Sequence, residues 1–235
     1  MGCPACHDGA MTVERSYRPA AGRAWALAFY DPLVKLFGAG SAWRALVEQA
    51  GLRPDHRVLD LGCGTGGLSL SIKRRHPSVE VVGIDPDPPA LARARRKARR
   101  AGLAIRFDRG FGDSLPYPDR SFDRVLSAFV LHHLPAEDKE PTLREVGRVL
   151  ADGGRLHLLD FGGPQSAAAT GFLSRRLHAS HGLGDNFGDR IPALLRRAGF
   201  PDVQMVADRA MLVGHIAFFR ASVSPALRPA SAPRS

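Results

Sequence analysis

The stretch VLDLGCGTGGLSL, Val58 to Leu70, constrains the fold more than any other part of the chain. Val58, Leu59 and Leu61 form a short apolar run, glycines follow at positions 62, 64, 66 and 67, and Leu68 and Leu70 resume apolar spacing. This is the pattern of a buried strand, a tight turn and a helix. Glycines in such a turn let the backbone take positive φ and approach a ligand closely. The same letters carry two motifs. G-x-G-x-x-G (Gly62, Gly64, Gly67) is a dinucleotide loop, whereas D-x-G-x-G-x-G (Asp60, Gly62, Gly64, Gly66) adds an acid at the strand tip. The loop alone leaves both readings open.

The chain around it alternates strand and helix patterns. RVLDL reads as a strand, GLSLSIKRRH as a helix, VEVVGID as a strand, PALARARRKARRAG as a helix and LAIRFDRG as a strand. SFDRVLSAFV (strand), EPTLREVGRVL (helix) and GRLHLLDF (strand) continue the series, which is the signature of a doubly wound α/β fold. After Asp160 the rhythm changes. A Gly- and Ala-rich connection runs to about Asn186, then a helix, IPALLRRAGF, precedes two β-like runs, DVQMVA and LVGHIAFF, spaced as an antiparallel hairpin. Residues 1–23 read as a flexible arm, 24–50 as a helical lid, 51–221 as the folded domain and 222–235 as a disordered Pro- and Ser-rich tail. In the lid segment Trp25, Phe29, Leu33, Leu36 and Phe37 fit a cover over a site, core packing or an interfacial membrane face, the first two being the commoner outcomes for such a stripe.

At 235 residues and 44% hydrophobic content, the chain is long enough for one sizeable domain. The net charge of +10 points toward an anionic partner, but much of it sits in ARARRKARRAG, where Arg93, Arg95, Arg96, Lys97, Arg99 and Arg100 crowd one predicted helix. The plain reading is a solvated helix face, and no nucleic-acid partner is expected. Three cysteines make no disulfide scaffold, no apolar run spans a bilayer and the N-terminus lacks a signal core, so a reduced, cytoplasmic protein is expected, with peripheral membrane contact left open. CPACH (Cys3, Cys6, His7) spells a haem or half-zinc motif, yet no second ligand pair follows at metal-site spacing, so no metal is expected.

Residues just after each strand carry the ligand chemistry of an open α/β sheet. Asp85 ends the second strand, where a carboxylate accepts from both ribose hydroxyls; its other role is a helix N-cap. Asp60 at the tip of the first strand repels a pyrophosphate and attracts an ammonium. A ligand with an adenosine at one end and an ammonium at the other, such as S-adenosylmethionine, suits this pair. Asp113, in the loop after the third strand, is placed to accept from an adenine amine.

Over roughly Val58 to Phe161 the chain resembles class I S-adenosylmethionine-dependent methyltransferases. VLDLGCGTGG, VVGIDPD, GDSLPYPDRSFD, VLHHL and RVLADGGRLHLLDF occur in the order and at the spacing of that family. The resemblance implies a Rossmann-like, three-layer α/β/α fold with a seven-stranded sheet whose last strand is antiparallel. It implies S-adenosylmethionine as cofactor, with Asp60, Gly62, Cys63, Gly64 and Thr65 at the methionine end, Asp85 and Pro86 at the ribose, Asp113 and Ser114 at the adenine, and Ala128 beside the methionine portion. Within the superfamily, Tyr30-Asp31, Trp43-Arg44 and RVLADGGRLHLLDF resemble the two signatures of the ubiquinone/menaquinone C-methyltransferase group. The implied acceptor is a small apolar or aromatic molecule such as a quinol or phenol.

Methyl transfer from a sulfonium is driven mainly by proximity and orientation, so a base is optional. His133, in VLHHLP after the fourth strand, and Asp160, after the fifth, are the base candidates, with His132 ranked behind His133. Two rival activities follow from parts of the sequence: an NAD-dependent oxidoreductase from G-x-G-x-x-G alone, and an RNA methyltransferase or nucleic-acid-binding protein from the charge.

Overall fold

Strands buried on both faces read as unbroken apolar runs, and the central strands follow that rule. The computed structural model describes residues 39–162, 189–211 and 214–223. Its elements are α1 (Ala39–Gln49), β1 (Arg57–Leu61), α2 (Gly67–Arg75), β2 (Glu80–Asp85), α3 (Pro88–Arg100), β3 (Arg106–Arg109), β4 (Phe122–Ala128), a 3₁₀ turn (Leu131–His133), α4 (Ala136–Val149), β5 (Leu150–Phe161), α5 (Arg190–Arg197), β6 (Asp202–Met211) and β7 (Gly214–Ser222). The strands form one seven-stranded sheet in the order β3-β2-β1-β4-β5-β7-β6. β1 runs parallel to both β2 and β4, and β4 parallel to β5. The closing strand β7 is antiparallel to β5 and β6, so the terminal pair is the expected hairpin. Ser222 is its last residue rather than the head of the tail.

Helices cover both faces, giving the three layers. On one side Leu143, Val146 and Val149 of α4 and Leu194 and Leu195 of α5 pack with Leu59, Leu61, Val125 and Phe219. On the other, Ala42, Leu46 and Val47 of α1 join Val58, Leu68, Ile72, Leu126, Leu159 and Phe218. The segment expected as a lid over 24–50 enters this second cluster only with its end, residues 24–38 lying outside the described residues. Its last part, α1, is a core helix, because its apolar stripe is buried against the sheet and against α2. Trp25, Phe29, Tyr30 and Asp31 lie outside the described residues, as do Cys3, Cys6 and His7.

Local chemistry explains where the helices begin. Asp87 caps α3 by accepting from the Ala90 N–H at 3.5 Å, with Pro88 and Pro89 occupying the first positions, where no N–H is needed. α4 starts at Ala136, four residues before the sequence pattern indicated, with Glu137 and Asp138 in its first turn complementing the helix dipole. The sequence pattern set the start at Glu140 because proline suits the first turn; Pro141 instead stands at the sixth helical position, where it has no N–H to give the Glu137 carbonyl.

Candidate functional site

The carboxyl ends of β1, β2, β4 and β5 meet at one rim of the sheet, and the glycine loop lies there. Gly62 has φ +68°, and its N–H, with that of Cys63, donates to the Ile84 carbonyl at 2.9 and 3.0 Å, drawing the loop onto β2. A Cβ at Gly62 would stand 2.5 Å from Val130 Cγ2, so only glycine fits. Gly64 has φ +50° and differs: a Cβ there meets nothing within 4 Å, which marks the open side of the loop. Its N–H donates to Asp85 Oδ2 at 2.8 Å, and the Asp87 N–H donates to Asp85 Oδ1 at 2.9 Å. Asp85 therefore ties the loop to the β2–α3 turn while each of its oxygens keeps a lone pair. The capping role that Asp85 shared in the sequence reading belongs to Asp87. Pro86 lies half-buried between the two.

Asp60 is 1% exposed and accepts from the Ser69 hydroxyl at the start of α2. Burial pushes its carboxyl up to about 7, against the opposing pull of the Ser69 bond. Burial also raises Asp85. Cys63 turns its thiol inward against Gly83, and burial holds that thiol well above its usual range, so the thiolate is not available. The Thr65 hydroxyl, 3.2 Å from Lys97 Nζ, accepts from that side chain.

The loop carrying Asp113 and Ser114 is held by a device the sequence reading missed. Arg148 on α4 donates to the carbonyls of Leu115 (3.0 Å) and Tyr117 (2.8 Å) and pairs with Asp119 (2.7 Å) and Glu145 (2.8 Å). Glu145 in turn accepts from the Leu115 N–H at 2.9 Å. The E-x-x-R spacing on α4 was the available signal, since it places both groups on one helix face. The Ser114 N–H donates to the Phe111 carbonyl at 3.3 Å.

Past Ala128, the last residue of β4, the chain turns through Phe129 at φ +61°, a strained conformation for a bulky residue. Its N–H donates to the Leu159 carbonyl at 2.8 Å, and its ring lies 5.3 Å from that of Phe161. His132 follows on the 3₁₀ turn. Its Nδ1 stands 2.7 Å from Asp160 Oδ1, with the two side chains 6% and 0% exposed. The Phe161 N–H donates to the same Oδ1, whereas Oδ2 of Asp160 is buried without a partner among the described residues. Phe161 meets the His132 ring edge-to-face at 5.0 Å, and His133 lies against it at 3.9 Å. The structure thus joins Asp160 to His132, the histidine ranked second in the sequence. His132 and Asp160 are 28 residues apart, and only the parallel pairing of β4 with β5 brings them together.

Residues 58–154 match the family model described as a methyltransferase domain. Over those residues, which run from β1 into β5, the chain is similar to methyltransferase domains. Over 142 residues it is 46% identical to a protein named demethylmenaquinone methyltransferase from Thermus thermophilus, covering 59% of this chain and 64% of that one. A Deinococcus radiodurans protein of the same name is 43% identical over 140 residues, covering 58% and 57%. The chain therefore spans less than two thirds of the length of these curated relatives. In fold, it is similar to the crystal structure of the YcgJ protein of Bacillus subtilis, at a TM-score of 0.63 and 21% identity, covering 77% of this chain and 97% of that one. The matched region runs from β1 into β5 and includes the glycine loop, Asp85, Asp113 and His132, but not Asp160. These matches favour the methyltransferase reading of the glycine loop over the dinucleotide reading.

Among the described residues no group of three or more His, Cys, Asp or Glu could hold a metal ion, and no helix is long and apolar enough to cross a membrane.

Proposed function

We propose that this domain moves the S-methyl group of S-adenosylmethionine to a small apolar or aromatic acceptor, a quinol or a phenol. The observation that carries this reading is the pair of acids flanking the open side of the glycine loop, Asp85 half-buried and locked to the Gly64 N–H, and Asp60 buried behind it. An acid where Asp85 stands accepts from a ribose in either cofactor; Asp60 beneath the loop would repel a pyrophosphate and suits a ligand that is ribosyl at one end and cationic at the other. When bound, that cofactor supplies an electrophilic methyl on a positively charged sulfur that leaves neutral.

In this reading Asp85, with Pro86 beside it, accepts from the ribose hydroxyls through its two remaining lone pairs. Asp60 faces the ammonium, while Gly62, Cys63, Gly64 and Thr65 offer the loop backbone and Ala128 flanks the methionine portion. Asp113 and Ser114, on the loop clamped by Arg148, receive the adenine. His132 takes the acceptor's proton. Oδ1 of Asp160 holds Nδ1 of His132 and fixes the tautomer with the proton on Nδ1, leaving the Nε2 lone pair to accept. Asp160 is a positioning residue in this scheme and His133 a ring that supports His132. The rings of Phe129 and Phe161 beside the pair supply an apolar wall, which supports an apolar or aromatic acceptor. The two relatives named demethylmenaquinone methyltransferase support a quinol first.

The test is calorimetry followed by turnover. The protein should bind S-adenosylhomocysteine and not NAD, and Asp85→Ala should weaken that binding at least tenfold, since charge-assisted bonds to a ribose are worth about 1.5–3 kcal/mol each. Radiolabelled cofactor should then label quinols or phenols. Tighter binding of NAD, or label entering only RNA, would overturn the reading.

A further inference from the structure

Among the described residues, α3 carries the densest run of basic side chains, six between Arg93 and Arg100. Its inward face is fully used: Ala90, Leu91, Ala94 and Ala98 are buried in a cluster with Cys63, Leu70 and Phe107. At 100° per residue, Arg96 then points directly outward, with Arg99 and Arg100 on either side of it. All three are exposed, and none makes an ion pair among the described residues. Arg95, also exposed, donates to the Phe107 carbonyl and so bolts the helix to the edge strand β3. The helix has no acidic residue after its cap, and three of its basic residues lie in its last turn, where they also complement the dipole. None of the segments outside the described residues carries an acidic excess. Residues 1–38 hold four Lys and Arg against three acids, 163–188 two against one, and 224–235 two against none.

We infer that the outward face of α3 is a docking surface for an anionic lipid bilayer. The charge is fixed on one rigid helix about 20 Å long, at 1.5 Å per residue, which presents a flat cationic strip rather than a groove. Surfaces that hold single-stranded nucleic acid interleave basic groups with aromatic side chains that stack on bases. Here the only exposed large hydrophobic residues among those described are Met205 and Val206, on β6 at the opposite edge of the sheet. An apolar acceptor would itself reside in a membrane, and that part of the argument rests on the proposed function. Because the apolar face of α3 is committed to the core, the helix adheres by charge and does not insert. Binding is therefore strongly salt-dependent.

The experiment is sedimentation of the full chain with vesicles of phosphatidylcholine alone and with about 30% phosphatidylglycerol. It reads binding and not turnover, so an error in the acceptor leaves it unaffected. The protein should partition to the anionic vesicles only and be released by 0.5 M salt. The triple variant Arg96→Glu, Arg99→Glu, Arg100→Glu should lose about 100-fold or more in partition, at roughly tenfold or less per charge near the surface. A variant with the same charge change elsewhere, Arg53→Glu, Arg155→Glu, Arg196→Glu, should lose far less, and both should keep their affinity for S-adenosylhomocysteine. Equal losses in the two variants, or no partition to anionic vesicles, would overturn the inference. So would binding to a single-stranded RNA that is tighter than to vesicles and lost in the α3 variant, which would assign the face to nucleic acid.

Discussion

Nδ1 of His132 lies 2.7 Å from Oδ1 of Asp160, and the ring of Phe161 closes over the pair at 5.0 Å from the imidazole. A buried carboxylate that accepts from both an imidazole and the Phe161 N–H holds the ring in one orientation. If His132 takes a proton from the acceptor, His132→Ala lowers kcat by about 10²- to 10³-fold with cofactor affinity unchanged. Asp160→Asn keeps the shape but removes the charge that fixes the tautomer, so it lowers kcat with little change in KM. His133→Ala costs much less than either. Single-turnover rates with a quinol acceptor, set beside cofactor affinities from calorimetry, check all three; a His133 variant slower than the His132 variant would restore the order read from the sequence.

If Asp60 faces the ammonium of the cofactor, as proposed, it gives binding a pH dependence whose sign follows from its burial. With its carboxyl raised to about 7 by burial, Asp60 is largely protonated in the free protein below that pH. An ammonium-bearing ligand needs the ionised form. Affinity for S-adenosylhomocysteine therefore climbs between about pH 5.5 and 7.5, by at most tenfold per unit, and then levels. Asp60→Asn removes most of that slope. The stability of the free protein runs the other way. A carboxyl whose folded-state pKa is raised is stabilising below its unfolded value, near 3.8, and that contribution is lost as pH rises through about 7. Thermal melts across pH 5–8, with and without ligand, should show the ligand offsetting the loss.

The Arg148 clamp predicts an effect on a site that its own side chain does not enter. Arg148→Met keeps the aliphatic stem but leaves the carbonyls of Leu115 and Tyr117 without their donor. Arg148 is 31% exposed, so water replaces part of what is lost, and stability falls by only about 1–2 kcal/mol. The loop bearing Asp113 and Ser114 then loosens, and cofactor affinity falls about tenfold while kcat at saturation holds. Arg148→Lys, which cannot form the forked contacts, should behave like the Met variant.

Much of this was legible because strand periodicity and glycine spacing are local. The order of strands and helices, the terminal hairpin and the identity of the loop residues follow from runs a few residues long. What sequence could not supply was pairing at a distance. His132 and His133 are equivalent as letters, and only the parallel register of β4 and β5 selects His132 for Asp160. The apolar stripe of α1 likewise fits a lid or a core equally well. It was resolved by the sheet face that Ala42, Leu46 and Val47 cover, and by Trp43 lying against Gly67, where a Cβ would stand 2.3 Å from the indole. The capping residue of α3 moved from Asp85 to Asp87 because the Asp85 oxygens were already taken by Gly64 and Asp87.

Two glycines in one loop, both at positive φ, separate stability from binding. Gly62→Ala forces a residue into the left-handed region and drives its methyl to 2.5 Å from Val130 Cγ2. The conformational penalty of about 1–2 kcal/mol adds to an overpacking cost of about 1–3 kcal/mol. The midpoint of thermal unfolding should fall by several degrees, at about 2–4 °C per kcal/mol for a domain of this size. Val130→Ala in the same chain opens the space, so the double variant should recover the overpacking part and leave the conformational part. Gly64→Ala incurs the conformational penalty alone, because its methyl meets nothing within 4 Å. That methyl stands instead on the open side of the loop, where the cofactor is proposed to lie. The Gly64 variant should therefore melt within a few degrees of the parent while binding S-adenosylhomocysteine at least tenfold more weakly. Should it bind normally, the open side of the loop is not where the cofactor lies.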